Sequence, residues 1–139
     1  MNTYDIEDLY TGQTEQFETE ISSEMFDAFR AFTCDTNPLH CDEDYAKDQG
    51  FNGRVAYGML TASFLSTLAG VFLPGERSII QSVDVRFPRP VYEGDILLVR
   101  GTVTEIHESV RQITVAVEIK NQRDESVLKG KMKVGVRNG

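Results

Sequence analysis

The chain has no tryptophan, and its 139 residues include only two cysteines and four prolines. Two cysteines, at 34 and 41, are too few for a disulfide scaffold, so a reducing, cytoplasmic setting is expected. No apolar run is long enough to span a bilayer, so no membrane association is expected. The first residues, Met1 to Glu7, are acidic and contain no apolar signal region, which argues against secretion. Repeats, low-complexity tracts and linkers are also missing. Basic residues are the minority, 14 Lys+Arg against 22 Asp+Glu, for a net charge of -8. Binding to a polyphosphate backbone is driven by Lys and Arg, so a nucleic-acid partner is excluded. A small anionic ligand is not excluded, because it needs only a local basic patch.

What is present suffices for a core. Hydrophobic residues make up 40% of the chain, and its length suits one domain covering residues 1–139. Residues 14–21 alternate as a short strand with Phe17, Thr19 and Ile21 on one side. Ser22 or Ser23 caps a helix carrying Met25, Phe26, Phe29 and Phe32 at helical spacing. Residues 33–57 are irregular, with at most a helical turn near Asp44–Gln49. A stretch of that length inside a compact domain points to function. Gly58 to Gly70 contains no charged residue and is apolar or small all round, which predicts a helix buried on nearly all sides.

The second half alternates with period two: Val83, Val85 and Phe87, then Leu97, Val99 and Val103, then Ile113, Val115, Val117 and Ile119, then Met132, Val134 and Val136. Short spacings predict antiparallel pairing with one solvated face. The fold class is therefore α+β, a curved antiparallel sheet wrapped around one long apolar helix. Its open edges predict a homodimer.

Reactive side chains concentrate in Cys34-Asp35-Thr36-Asn37-Pro38-Leu39-His40-Cys41-Asp42. Asp35 and His40 flank a proline turn and can approach one water from two sides, exchanging protons near neutral pH. Asn37 can fix either partner. A purely structural alternative is an Asx turn with His40 filling a loop pocket. Cys34, His40, Cys41 and Asp42 are possible metal ligands, but no second ligand pair accompanies them, so no metal is expected. Gly58, at the start of the apolar helix, leaves backbone amides open to a carbonyl oxygen that develops charge, or else simply permits close packing.

The stretch Phe32 to His40, with Ala46, Gly50-Phe51-Asn52-Gly53-Arg54-Val55-Ala56-Tyr57-Gly58-Met59-Leu60 and Phe87-Pro88-Arg89-Pro90-Val91-Tyr92-Glu93-Gly94-Asp95, resembles the MaoC-like, (R)-specific enoyl-CoA hydratase family over roughly residues 14–136. The resemblance implies a hot-dog fold and a homodimeric, cytoplasmic hydro-lyase of fatty-acid metabolism. It also implies reversible syn hydration of trans-2-enoyl-CoA to (R)-3-hydroxyacyl-CoA, with no cofactor. By similarity Asp35 and His40 are the catalytic pair, Asn37 and Ser66 orient them, and Gly58 is the oxyanion donor. Tyr57 and Met59 line the substrate site, and Arg54, Arg86 and Arg89 are candidates for the carrier's phosphates. The family usually has Gly where this chain has Cys34, and His where it has Tyr57. Dehydration of acyl chains on acyl-carrier protein and a non-catalytic acyl-CoA-binding role are the alternatives.

Overall fold

The computed structural model describes residues 1–139. In chain order it contains β1 (Thr14–Glu20), α1 (Ser23–Thr33), α2 (Pro38–Cys41), α3 (Glu43–Asp48), α4 (Gly58–Thr67), β2 (Ser78–Arg86), β3 (Ile96–His107), β4 (Gln112–Lys120) and β5 (Ser126–Val136). The strands form one antiparallel sheet in the order β1-β3-β4-β5-β2, the hot-dog arrangement that the sequence resemblance implies.

The phase of each strand is the predicted one. Leu97, Val99 and Val103 of β3, Ile113, Val115 and Ile119 of β4, and Met132 and Val134 of β5 are all fully buried. Together with Leu65 and Leu68 they form the core between sheet and helix. α4 runs on into a π-helical turn, Leu68–Phe72, whose Phe72 stacks on Phe17 of β1 at 5.1 Å. Gly101 of β3 permits the close approach of Leu68 to the sheet. A Cβ there would lie 2.9 Å from both Leu68 and Val115, closer than side chains tolerate.

α1 begins where expected: the Ser22 hydroxyl accepts from the Met25 amide. It ends at Cys34, which adopts the left-handed conformation at φ 59°. The irregular region is more ordered than its sequence suggests. Asn37 caps α2, Pro38 occupies the first turn where its missing N–H costs nothing, and Asp42 ends α2 and caps α3.

One expectation needs correction. α4 is not buried on all sides within the chain. Leu60, Thr61 and Leu65 face the core, but Met59 is 66% exposed, and Ser63 and Ser66 on the same face are exposed too. The neighbouring strand β2 pairs only with β5 and leaves Ile79, Ile80 and Val83 exposed on the open side of the sheet. The small, uncharged side chains of this face therefore have no cover from their own chain.

The N-terminal segment is tied to the far end of the sheet. Asp5 caps the turn Ile6–Asp8 and is paired by the guanidinium groups of Arg77 and Arg111. Arg111 also donates to the Val136 carbonyl. No helix is long and apolar enough to cross a membrane.

Candidate active site

The end of α1, the short α2 and the start of α4 meet at one cavity of about 770 Å³. Its walls include Phe29, Phe32, Asp35, His40, Tyr57, Gly58, Met59 and Val83. Four residues, the last two already in α2, separate Asp35 from His40, and the local bonds explain how both reach the same space. The Asn37 amide donates to one carboxylate oxygen of Asp35 at 3.1 Å. The Asn37 side chain accepts from the Leu39 amide at 3.0 Å, and its carbonyl accepts from the His40 amide at 3.0 Å. Asn37 therefore acts on both residues through the backbone, while its side chain is spent on the cap.

The imidazole Nδ1 of His40 lies 2.6 Å from the Val55 carbonyl. A carbonyl can only accept, so Nδ1 carries a proton, and in the neutral ring the lone pair is left on Nε2. The ring also stacks on Tyr57, with centroids 4.2 Å apart. Tyr57 is buried, and its hydroxyl donates to the Asp35 backbone carbonyl at 2.9 Å. Burial, reinforced by the Cys41 thiol, pushes the Tyr57 hydroxyl up to about 12.

Gly58 opens α4 without a side-chain cap, so its amide is free. A Cβ at Gly58 would meet the Phe87 ring at 3.6 Å, an ordinary contact. Packing therefore does not require glycine here, which leaves room for a ligand atom as the physical reason for it. His40 and Gly58 also border a second cleft of about 330 Å³, lined by Phe51, Phe87, Arg89 and Val91 among others. The two spaces share these two residues as a common wall.

The structure brings Asp35, His40, Tyr57, Gly58, Met59 and Arg89 to these clefts. It does not bring Ser66, Arg54 or Arg86. Ser66 sits on the same exposed face of α4 as Met59 and Ser63, but one turn beyond Ser63, and it is Ser63 that borders the cavity. Arg54 is drawn away by Glu93 at 3.4 Å and by the Phe26 ring, 4.8 Å beneath its guanidinium. Arg86 points to the outer face of the sheet, beside Lys129, Lys131 and Lys133. Sequence reasoning missed Ser63, and it also missed Phe29 and Phe32 as cavity walls. Their helical spacing signalled an apolar stripe, and that stripe lines a cavity as well as the core.

A half-buried histidine held by a backbone carbonyl, a carboxylate and a free helix-start amide around one space are the parts of an acid–base enzyme acting beside a carbonyl. Residues 9–125 match the MaoC like domain, and the chain belongs to that family. It is 36% identical over 108 residues to the (R)-specific enoyl-CoA hydratase of Rhodospirillum rubrum, covering 78% of this chain and 75% of that one. It is 37% identical over 130 residues to the 3-hydroxybutyryl-CoA dehydratase of Methylorubrum extorquens, covering 94% and 82%. The unliganded R-hydratase of Pseudomonas aeruginosa superposes with a TM-score of 0.91 at 30% identity, covering 97% of this chain and 86% of that one. The chain is an enzyme of the hydratase/dehydratase class.

Proposed function

We propose that this protein catalyses the reversible syn addition of water to a trans-2-enoyl-CoA, giving the (R)-3-hydroxyacyl-CoA. The observation that carries the reading is that Asp35, His40 and Gly58 border one cavity whose remaining walls are largely apolar. The acyl chain lies against Phe29, Phe32 and Met59. The thioester sits at the shared wall, and the carrier leaves through the second cleft past Arg89. The similarity to enzymes named for enoyl-CoA and 3-hydroxybutyryl-CoA supports CoA as the carrier.

In this scheme one water is held between the Asp35 carboxylate and the Nε2 of His40. One of the pair removes a proton as the water oxygen bonds to C3. The double-bond electrons move through C2 onto the thioester oxygen, where the Gly58 amide receives the developing charge. A proton then returns to C2 from the same side, so the elements of one water are added in full. A single domain in a reducing cytoplasm carries this chemistry. A second copy covers β2 and the exposed face of α4, where Met59 and Ile79 are open. A molar mass equal to one chain at working concentration would remove that dimer.

The test is loss of enoyl absorbance with crotonyl-CoA and longer enoyl-CoAs, followed by chiral analysis of the product. The (R) product is expected. An (S) product, or turnover only on acyl-carrier-protein thioesters, overturns the assignment.

A further inference from the structure

Tyr57 stands where substrate contact was expected, yet it is only 3% exposed. Its ring is packed between the imidazole of His40 at 4.2 Å and the Phe29 ring at 4.6 Å. Its hydroxyl reaches across 22 residues of sequence to the Asp35 carbonyl at 2.9 Å. The loop that carries Asp35 has little else to hold it. Residues 34–37 are exposed, and the other bonds at Asp35 are local: its amide donates to the Thr33 hydroxyl, and its carboxylate accepts from the Asn37 amide. Tyr57 therefore touches both members of the proposed acid–base pair, one through its ring and the other through its hydroxyl.

We propose that Tyr57 is a positioning residue that sets the placement of Asp35 relative to His40, a role that rests on the hydratase reading above. The hydroxyl proton is committed to a carbonyl, so this group neither takes nor gives protons in the reaction. Its titration near pH 12 keeps it a donor throughout any assay range. The Cys41 sulfur, 3.7 Å from the phenolic oxygen, supplies a weak second contact. Cys41 follows His40 directly, so the linkage closes on itself: α2 holds the imidazole and the thiol, the thiol meets the tyrosine, and the tyrosine holds the aspartate loop. With the hydroxyl removed, the Asp35 backbone keeps only its local bonds. A catalytic group displaced by about 1 Å loses on the order of 10²-fold in rate.

The experiment compares wild type, Tyr57→Phe, Asp35→Asn and the double variant on crotonyl-CoA, with thermal unfolding of each. Tyr57→Phe keeps the ring stack. Its kcat is expected to fall by ~10-fold or more while KM stays within about twofold and Tm stays near wild type. In the Asp35→Asn background the same change is expected to cost nothing further, because it acts through Asp35. Tyr57→Met, which removes the phenol and offers no other donor, is expected to show at least the same kcat loss and serves if Tyr57→Phe folds poorly. Wild-type kcat in Tyr57→Phe, or a full additional loss in the double variant, overturns the positioning role. If Asp35→Asn abolishes hydration while Tyr57→Phe retains it, only this inference falls. If wild type hydrates no enoyl-CoA, the functional reading falls with it.

Discussion

His40 donates its Nδ1 proton to the carbonyl of Val55 across 2.6 Å, three residues before Gly58 supplies the helix-start amide. One short segment thus fixes the histidine ring and presents the amide proposed as oxyanion donor. The nitrogen left for chemistry is Nε2. His40→Asn retains an amide donor near the Nδ1 position but has nothing at Nε2. We expect it to fold with a Tm close to wild type and to lose ~10²–10⁴-fold in kcat. Steady-state hydration kinetics beside a melting curve check both halves. Near-full activity would remove Nε2 from the mechanism.

Gly58 invites the opposite pattern. Alanine there makes only an ordinary contact with Phe87 and favours helix over glycine. Gly58→Ala is expected to melt at the same temperature as wild type or slightly higher. The new methyl group occupies the space where the thioester oxygen approaches, so activity should fall roughly 10-fold or more. An active and equally stable Gly58→Ala would return the glycine to a packing role.

The three arginines considered for carrier recognition now separate. Arg89 borders the cleft shared by His40 and Gly58, whereas Arg86 faces the outer surface of the sheet. Arg89→Gln is expected to raise KM for a CoA thioester by ~3–10-fold with kcat little changed, the loss of one partly exposed charge-assisted contact. Arg86→Gln is expected to leave KM unchanged. Equal effects from the two would place the carrier across the sheet instead of along the cleft.

Asp5 gives a prediction about stability and pH. The Arg111 guanidinium, with the Ile6 amide and Arg77, holds its carboxyl below the usual 3.8. The folded form therefore favours the ionised group, and this contribution is present above the ordinary carboxylate range. It is lost as pH falls through the lowered value. Asp5→Asn should melt below wild type at pH 7, and the gap should narrow as the pH falls below the ordinary carboxylate range. A gap that persists into acid would mean that the carboxylate charge is not what holds the segment.

Much of this arrangement can be read from the chain because it is local or periodic. The strand phases follow from alternation, the start of α1 from Ser22, and the proposed acid–base pair from residue types placed around a proline turn. The rest depends on contacts between distant segments. Nothing in the sequence near Tyr57 says that its hydroxyl meets the carbonyl of Asp35, 22 residues earlier. Arg54, Arg86 and Arg89 look alike as charges, and only the sheet register and the cleft that each borders tell them apart. α4 misleads in a different way. Its composition reports burial, but the chain alone covers only one side, so the sequence encodes a surface that a second copy completes in the dimer proposed above.

Cys34 closes α1 in the left-handed region with a β-carbon in place, at φ 59°. A non-glycine residue bears a cost of order 1 kcal/mol in that conformation, but it also has fewer backbone states to give up on ordering than glycine. The residue directly before the aspartate therefore works as a stiff hinge. Glycine at this point would let the loop sweep a wider arc in solution, so the side chain at 34 narrows the range of directions in which the Asp35 carboxylate can point.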